Sequence, residues 1–325
     1  MASKGCKKAL NVAGIVVASA FALLAVLSVT NLVLTSVERN EHRAPGKLVP
    51  VGRNRMHIYS EGTGKRNVIL LSGWGTAGPV IDYKPLIEAL KNDFKVTVVE
   101  YFGYGWSDWT NEPRTNANVV EETRLALTEA GISPPYILVA HSISGLYALY
   151  YANKFPDEID AIIGLDTTIP AQRKYFQSGR PSSLPSLMRI FGILRLMFLF
   201  DPRVVGHQFP AYSEVERRMM ATMYFWNYAN PSQRDEYAEL SENAKELDGW
   251  KYPITIPISM ILSRTSVDEG PKSTPGLDWK KAHEDIIAGN KNGRVFVLNG
   301  GHFIHWSNSE EIATIVKETS LSESE

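Results

Sequence analysis

The chain has 325 residues, a formal net charge of −1 and 44% hydrophobic residues. That length suffices for one large domain with a substantial core, or for two small domains. The near-neutral charge offers nucleic acid no overall electrostatic attraction, so no nucleic-acid partner is expected. Cys6 is the only cysteine, which excludes an intramolecular disulfide and a cysteine-based metal cluster.

The amino-terminal segment is apolar. No charged residue occurs between Ala9 and Val37, and about 20 helical residues suffice to cross the hydrocarbon core of a bilayer. A retained membrane-spanning helix is favoured over a cleaved signal peptide, because the apolar run continues well past the small residues Ala18-Ser19-Ala20.

The charges around this segment predict how the chain is organised. Lys4, Lys7 and Lys8 precede the helix and favour a cytoplasmic amino terminus, although basic residues after the helix weaken that bias. We therefore expect a single-pass protein. Residues 1–37 form a cytoplasmic stub and transmembrane helix, residues 38–46 form a polar linker, and residues 47–325 form a large domain on the extracytoplasmic side.

Strand-like and helix-like segments alternate through that domain. Residues 47–59 alternate apolar and polar side chains, which predicts a β-hairpin. Further strands are predicted at residues 67–71, 95–101, 136–140, 161–165, 258–262 and 295–298, and helices at 79–91, 116–130, 145–155, about 279–288 and about 309–319. This order predicts an α/β fold with a mostly parallel sheet covered by helices on both faces.

Residues from about 170 to 250 break the alternation, and we interpret them as a helical cap inserted between two strands. Helices are predicted at residues 187–200, 213–229 and 232–247. The first is almost entirely apolar. It packs on the core, which is the favoured interpretation, or lines an apolar pocket, or contacts the bilayer beside the anchor. The second is rich in methionine and aromatic residues and forms either pocket wall or core.

The central chemical signal is the segment Val139-Ala140-His141-Ser142-Ile143-Ser144-Gly145. An apolar strand stops, a serine follows among small residues, and a helix begins. Such a tight turn exposes a serine hydroxyl and directs a helix amino terminus at developing negative charge. The simpler alternative is a serine that caps an ordinary helix.

At this point the chain resembles the α/β-hydrolase superfamily, over roughly residues 46–319. In its nucleophile turn, Ala140 and Ser144 stand where the family usually has glycine. The segment Leu70-Leu71-Ser72-Gly73-Trp74-Gly75 is similar to the family's oxyanion-hole loop. The resemblance implies that the backbone N–H groups of Trp74 and Ile143 form the oxyanion hole.

Two further segments are similar to family loops. Asn299-Gly300-Gly301-His302-Phe303-Ile304-His305 resembles the loop that carries the catalytic histidine, which makes His302 the expected base and leaves His305 in the following turn. The alternative is a pair of surface or packing histidines. Residues 100–107 resemble the family's D-x-x-G-x-G-x-S turn, which is structural.

The acid of the triad has two candidates between Ser142 and His302. Asp166 follows the strand after the nucleophile helix, in a segment similar to that of pancreatic-type lipases. Asp268 follows the next strand, where most family members place their acid. Asp166 is favoured and Asp268 is the alternative; a turn residue or a solvated loop acid is the simpler interpretation of either.

The resemblance implies a serine hydrolase that cleaves an ester of an apolar acyl or lipid-like substrate through a Ser-His-Asp triad and an acyl-enzyme. Two alternatives stay open. One is a hydrolase of amide, thioester or carbon–carbon bonds; the other is a non-catalytic ligand-binding or membrane-scaffold protein on the same fold. No nucleotide, flavin or metal motif occurs, so neither a cofactor nor a metal is expected.

Overall fold

A computed structural model of the chain describes residues 4–177, 179–204 and 212–321. Its strands are β1 (Lys47–Val51), β2 (Asn54–Glu61), β3 (Asn67–Leu71), β4 (Lys95–Glu100), β5 (Tyr136–His141), β6 (Ile159–Leu165), β7 (Ile258–Ser263) and β8 (Gly293–Leu298). Its α-helices are α1 (Lys4–Glu41), α2 (Pro79–Asp82), α3 (Lys84–Leu90), α4 (Asn116–Glu129), α5 (Ser144–Lys154), α6 (Leu184–Ile190), α7 (Ile193–Phe200), α8 (Glu214–Asn227), α9 (Pro231–Glu246), α10 (Arg264–Ser273), α11 (Trp279–Ile286) and α12 (Ser309–Leu321).

The eight strands form one sheet in the order β1-β2-β4-β3-β5-β6-β7-β8. Strands β1 and β2 form an antiparallel hairpin, and β2 also pairs antiparallel with β4. The other neighbouring strands are parallel. Every residue of β5 and β7 is buried, as expected for central parallel strands covered on both faces. The predicted α/β-hydrolase sheet is therefore confirmed.

Helices cover both faces of the sheet. Side chains of α4 and α5, such as Leu127 and Leu146, belong to one buried apolar cluster with the strands. Side chains of α3 and α12, such as Leu86 and Ile312, belong to a second cluster on the opposite face. The strands thus bury both surfaces, and their carboxyl ends form one edge where parallel-sheet proteins place their sites.

One predicted helix is divided in the structure. Residues 79–91 form α2 and α3, separated at Tyr83, rather than one continuous helix. Pro85 has no backbone N–H and cannot donate to residue 81, so the helix ends and starts again. The Tyr83 hydroxyl donates to the Leu71 carbonyl over 2.9 Å, which fixes the break against the end of β3.

The insertion between β6 and β7 is helical, as predicted, but its first helix differs from the prediction. Residues 187–200 are shared between α6 and α7, which meet at Gly192 in the left-handed region (φ +66°). The favoured core-packing interpretation is wrong for most of this segment, because Leu194 is its only buried hydrophobic residue. In α8, by contrast, Met220, Met223 and Trp226 are core residues.

The amino-terminal helix is longer than predicted. It runs to Glu41, so residues 38–41, predicted as the start of a linker, continue the helix. The Glu38 and Arg39 side chains bind Trp226 and Asn227 of α8, which explains why the helix persists. By length and composition, residues Asn11–Glu41 could cross a membrane, a test that signal sequences near an amino terminus also pass.

The turn after β4 is closed by a buried carboxylate. Glu100 Oε2 accepts hydrogen bonds from the Trp106 backbone (2.8 Å) and lies 2.9 Å from His57 Nδ1. Gly105 lies so close to this carboxylate that a Cβ there would overlap it. Glu100 thus holds the two-glycine turn against β2 by hydrogen bonds.

Candidate active site

Ser142 stands at the sharp bend between β5 and α5. Its φ is +54°, in the left-handed region that non-glycine residues adopt only at a cost of about 1–3 kcal/mol. Two backbone hydrogen bonds hold it there: Ser142 N donates to Leu165 O (3.2 Å), and Ser142 O accepts from Thr168 N (2.8 Å). The neighbouring strand β6 and its following loop therefore fix the position of the serine hydroxyl.

Ser144 and Gly145, two and three residues after Ser142, are small because the bend is crowded. A Cβ on Gly145 would lie 2.5 Å from the Thr167 Cβ, closer than any normal contact. Ser144 stands where the family has glycine, and its buried hydroxyl donates to the Ser72 carbonyl over 2.6 Å. The departure from the family pattern thus links the bend to the loop after β3.

His302 lies in the loop after β8, and its imidazole faces Ser142. Its Nε2 is 2.9 Å from Ser142 Oγ, and its side chain is 44% exposed. The His302 carbonyl oxygen is 3.0 Å from His141 Nε2, which must carry the proton of that hydrogen bond because a carbonyl only accepts. The residue before the serine therefore holds the histidine loop in place.

Asp166 follows β6 directly and is fully buried. Its Oδ2 is 2.8 Å from His302 Nδ1 and 2.6 Å from Ser266 Oγ. Its Oδ1 accepts from the Ser263 backbone (3.1 Å) and from the Trp279 indole (3.3 Å). The carboxylate acceptor fixes the proton of His302 on Nδ1 and leaves Nε2 free to accept the serine proton.

The charge of Asp166 is favoured by its neighbours. Burial alone would raise the pKa of its carboxyl group, but the hydrogen bonds from His302, Ser266 and Ser263 lower that pKa below its ordinary value. An ionised Asp166 both orients the imidazole and stabilises the imidazolium that forms when His302 takes a proton.

Asp268, the other predicted acid, lies elsewhere. It belongs to α10, its side chain is 58% exposed, and its nearest cation is Arg264 at 3.9 Å in the same helix. No helix was predicted at residues 264–273. The structure thus brings Asp166, and not Asp268, to His302.

The loop after β3 passes close to the serine. A Cβ on Gly73 would lie 2.9 Å from the Ser142 Cβ, so only glycine allows this approach. The indole of Trp74 donates to the Gln233 carbonyl of α9 over 2.9 Å. Ile143 is the N-cap residue of α5. Of the two predicted oxyanion-hole residues, Ile143 thus directly follows Ser142, and Trp74 follows the glycine that packs against Ser142.

Sequence reasoning missed four residues around the site: His141, Ser263, Ser266 and Trp279. A signal for Ser263 exists, because it ends β7, the parallel neighbour of β6, and must emerge at the same edge as Asp166. Trp279 had no such signal, since its contact with Asp166 spans more than a hundred residues.

A groove of about 300 Å³ opens beside His302. The polar residues Gln172, Thr265 and Glu269 line it together with Trp279, and more of its surface is apolar than polar. His305, by contrast, is buried and binds Asp82 over 2.8 Å, away from this groove's lining. In the three described ranges, no group of three or more His, Cys, Asp or Glu side chains could hold a metal ion.

Comparisons with known proteins agree with this architecture. The chain is 29% identical to the uncharacterized protein YbdG of Bacillus subtilis over 308 residues, which cover 92% of this chain and 94% of YbdG. It is 33% identical over 101 residues to a pimeloyl-[acyl-carrier protein] methyl ester esterase of Xanthomonas oryzae, covering 31% of this chain and 36% of the esterase. That second match is local.

Solved structures share the fold at low sequence identity. The epoxide hydrolase VrEH1 of Vigna radiata matches with a TM-score of 0.63 and 17% identity, covering 84% of this chain and 96% of VrEH1. The profile of the family described as alpha/beta hydrolase fold matches residues 66–309, most of the chain. The chain therefore belongs to the alpha/beta hydrolase fold family.

Proposed function

We propose that this protein is a serine hydrolase that cleaves carboxylic esters through a Ser142-His302-Asp166 triad and an acyl-enzyme. One observation carries the proposal: the Ser142 hydroxyl, the His302 imidazole and the Asp166 carboxylate form a continuous chain with distances of 2.9 Å and 2.8 Å. A nucleophile, a base in reach of it and an acid that orients the base are the parts that acyl transfer needs.

The chemistry follows from these positions. His302 Nε2 accepts the proton of Ser142 as the serine oxygen attacks the ester carbonyl. The backbone N–H groups of Trp74 and Ile143 donate to the oxyanion that develops. The histidinium, stabilised by Asp166, then protonates the leaving alcohol. In the second half of the reaction, His302 takes a proton from water as the water attacks the acyl-enzyme, and it returns that proton to Ser142 as the acid leaves.

The comparisons support a hydrolase but do not identify the bond that it cleaves. One partial relative is named a methyl ester esterase, and another, from Shewanella oneidensis, is named a cis-3-alkyl-4-alkyloxetan-2-one decarboxylase, with 26% identity over 117 residues. We favour an ester because the triad provides an activated alcohol, and esters have good leaving groups for a single imidazole to protonate. We propose an apolar acyl chain from the composition of the cap alone, because its helices α7 and α8 are rich in apolar residues.

The groove beside His302 suits the other half of the substrate. Because His302 protonates the leaving alcohol, that alcohol must lie on the histidine side of Ser142. Gln172, Thr265 and Glu269 line this side and offer hydrogen bonds to a polar alcohol group. We therefore propose an ester with an apolar acyl part and a polar alcohol part.

The test is covalent labelling of the full-length protein in detergent micelles with a fluorophosphonate probe. Native protein should label, and Ser142→Ala should not, because the new bond joins Ser142 Oγ to phosphorus as fluoride leaves. The same substitution should lower hydrolysis of p-nitrophenyl esters by at least about 10⁴-fold. If the native protein neither reacts with the probe nor hydrolyses p-nitrophenyl esters of any acyl chain length, a non-catalytic binding protein would be favoured instead.

We further propose that α1 anchors the protein in a membrane with its amino terminus in the cytoplasm, since Lys4, Lys7 and Lys8 precede the apolar run. The single cysteine reports this orientation. In intact cells, a membrane-impermeant maleimide should leave Cys6 unmodified, and permeabilisation should expose it. Equal modification before and after permeabilisation would contradict the orientation, and Cys6→Ser is the control for background.

A further inference from the structure

Two cap helices leave most of their apolar side chains uncovered. Phe198 packs inwards, edge-on to Phe225 with ring centroids 5.5 Å apart, and Leu194 is buried beside it. On the other side of α7, Leu199 and Phe200 are 76% and 88% exposed. The α6–α7 apolar face is the exposed set Leu184, Leu187, Ile190, Leu196, Leu199 and Phe200. Large exposed apolar faces of this kind mark a partner or a membrane.

The turn between α6 and α7 contacts α1 at one defined position along the helix, Asn31. Asn31 is the first buried residue of α1 in its described part, and its side-chain amide donates to the Arg189 carbonyl over 3.0 Å. Residues 11–30 precede it, and none of them is buried. At about 1.5 Å per residue they span about 30 Å, the thickness of the hydrocarbon core. The α6–α7 turn thus meets α1 where the hydrocarbon ends.

Arg195 holds α7 at that position along α1. The Arg195 guanidinium donates to Asn31 Oδ1 (2.7 Å), Thr35 Oγ1 (3.0 Å) and Glu38 Oε2 (2.7 Å), three acceptors on successive turns of α1. Its side chain is largely buried in this contact. The apolar face therefore cannot move along α1 without breaking the hydrogen bonds of Arg195 to these three residues, two of which go to Glu38.

Cationic side chains lie beside the same stretch of α1. A groove of about 290 Å³ between α1 and the cap is lined by Arg39 and Arg189, which stack on Trp226 and Trp109 at 4.7 Å and 4.6 Å from the ring centroids. Arg39 and Arg189 line this groove together with Asp108, so it carries a net positive charge that suits the phosphate layer of a bilayer. This charge pattern favours lipid over a protein partner as the occupant.

We propose that the α6–α7 apolar face is a membrane-contact surface: it lies in the headgroup and upper acyl region of the bilayer that α1 crosses. The inference rests on the anchor proposed above. A helix in this position buries its exposed apolar side chains by about 5–10 Å below the phosphates, while Leu194, Arg195 and Phe198 stay with the protein. The cap is then part of the membrane surface, and α1 sets its depth.

The experiment is site-directed spin labelling of the full-length protein in vesicles of three parts phosphatidylcholine and one part phosphatidylglycerol. Cys6→Ser removes the native thiol, and single cysteines then replace Leu199 in the apolar face, Leu23 in α1 and Ile254 as the control. Ile254 is also strongly exposed (65%), but it precedes β7, at the edge of the sheet opposite to the site. Power saturation compares collisions with oxygen and with a water-soluble nickel complex.

The label at Leu199 should collide with oxygen severalfold more, relative to nickel, than the label at Ile254, because oxygen concentrates in lipid. Equal ratios at Leu199 and Ile254 would overturn the membrane-contact proposal. Protection of Leu199 from both reagents would also overturn it, because it would indicate cover by a second copy of the chain. The Leu23 label reports on the anchor alone. If the Leu23 label collides mainly with oxygen while the Leu199 label collides mainly with nickel, the contact surface is rejected and the anchor is kept.

Discussion

The Asp166 carboxylate carries its charge in a fully buried position, which is costly unless donors surround it. Four side chains, those of Ser263, Ser266, Trp279 and His302, and the backbone N–H of Ser263 point at it. An ion that is this well solvated by fixed groups needs no water. In the proposed mechanism it therefore stays oriented while His302 gains and loses a proton.

Replacing Asp166 by asparagine tests that role. The amide keeps the volume, but it offers an N–H to His302 Nδ1 and favours the imidazole tautomer that cannot accept the serine proton. We expect kcat to fall by about 10⁴-fold with KM little changed, measured on a p-nitrophenyl ester.

The matched control is Asp268→Asn, which also removes one carboxylate from the segment around β7. Its side chain is solvent-exposed in α10, so kcat should stay within about twofold of the native value. If instead Asp268→Asn were the variant that loses activity, the acid of the proposed triad would be misassigned.

The sequence could predict the serine and the histidine because each stands in a local motif, at the end of a strand and before a helix. It favours Asp166 as the acid but does not exclude Asp268. The strands before Asp166 and Asp268 are neighbours and end at the same edge. What separates the acids is direction: Asp166 follows its strand at once with φ +45°, whereas Asp268 lies within a helix that turns its side chain to solvent.

At the scale of elements, the predicted pattern failed where capping and tertiary contacts outweigh propensity. The α10 segment contains Gly270 and Pro271 and few strong helix formers, yet Ser263 caps it by accepting from Ser266 N over 3.0 Å. The apolar run 187–200 was predicted as one helix, but Gly192 breaks it where it meets Asn31. Asn31 lies far from Gly192 in the sequence, so this contact is not visible in a local window.

A buried carboxyl group joins three of these elements. Glu236 of α9 accepts hydrogen bonds from Tyr104, in the turn after β4, and from Tyr147 of α5 (2.8 Å). The Tyr104 hydroxyl also accepts from the Gly75 backbone (3.3 Å), next to Trp74. Glu236 thus ties the cap both to the nucleophile helix and to the loop proposed as the oxyanion hole.

Burial raises the pKa of Glu236, although the tyrosine hydrogen bonds and the charge of Arg114 oppose the shift. A carboxyl group whose folded-state pKa lies above its unfolded value of about 4.5 binds more protons when folded. Its contribution to stability is therefore complete below pH 4.5 and is lost as the pH rises through the folded-state pKa. Above pH 4.5, the free energy of unfolding should therefore fall less steeply with pH in Glu236→Gln than in the native protein. The two slopes should differ by at most about 1.4 kcal/mol per pH unit.

Urea unfolding at a series of pH values measures this slope. Glu242→Gln is the control, because it removes an exposed carboxylate from the same helix, where Glu242 pairs with Lys245. A slope in Glu236→Gln that matches the native protein would show that Glu236 does not titrate with folding.

For the whole molecule, the amino-terminal helix and the cap form one connected unit. The prediction of separate anchor, linker and domain came from composition, which records where charges begin but not what those charges bind. Glu38 accepts from Arg195 and from the Trp226 indole (2.9 Å), and Arg39 donates to Asn227 (3.3 Å). Contacts across more than 150 residues of chain have no signature in a single sequence.

Two truncations separate the roles of this helix. Removal of residues 1–30 deletes the uncovered apolar part and keeps Asn31, Glu38 and Arg39 on the cap. Removal of residues 1–45 deletes those partners as well and leaves Arg195 without its acceptors. Lost hydrogen bonds to a charged group cost about 1.5–3 kcal/mol, and for a domain of this size each 1 kcal/mol lowers Tm by about 2–4 °C.

The shorter truncation should therefore melt several degrees above the longer one in the same detergent, measured by circular dichroism. Arg195→Met in the shorter truncation should lose most of that difference, because it removes the cation and keeps much of the apolar stem. Identical melting of the two truncations would mean that the helix after residue 30 adds no stability, and that α1 and the cap act independently. A difference that Arg195→Met leaves intact would assign the coupling to Arg39 and Trp226 instead, whose stacking that substitution does not touch.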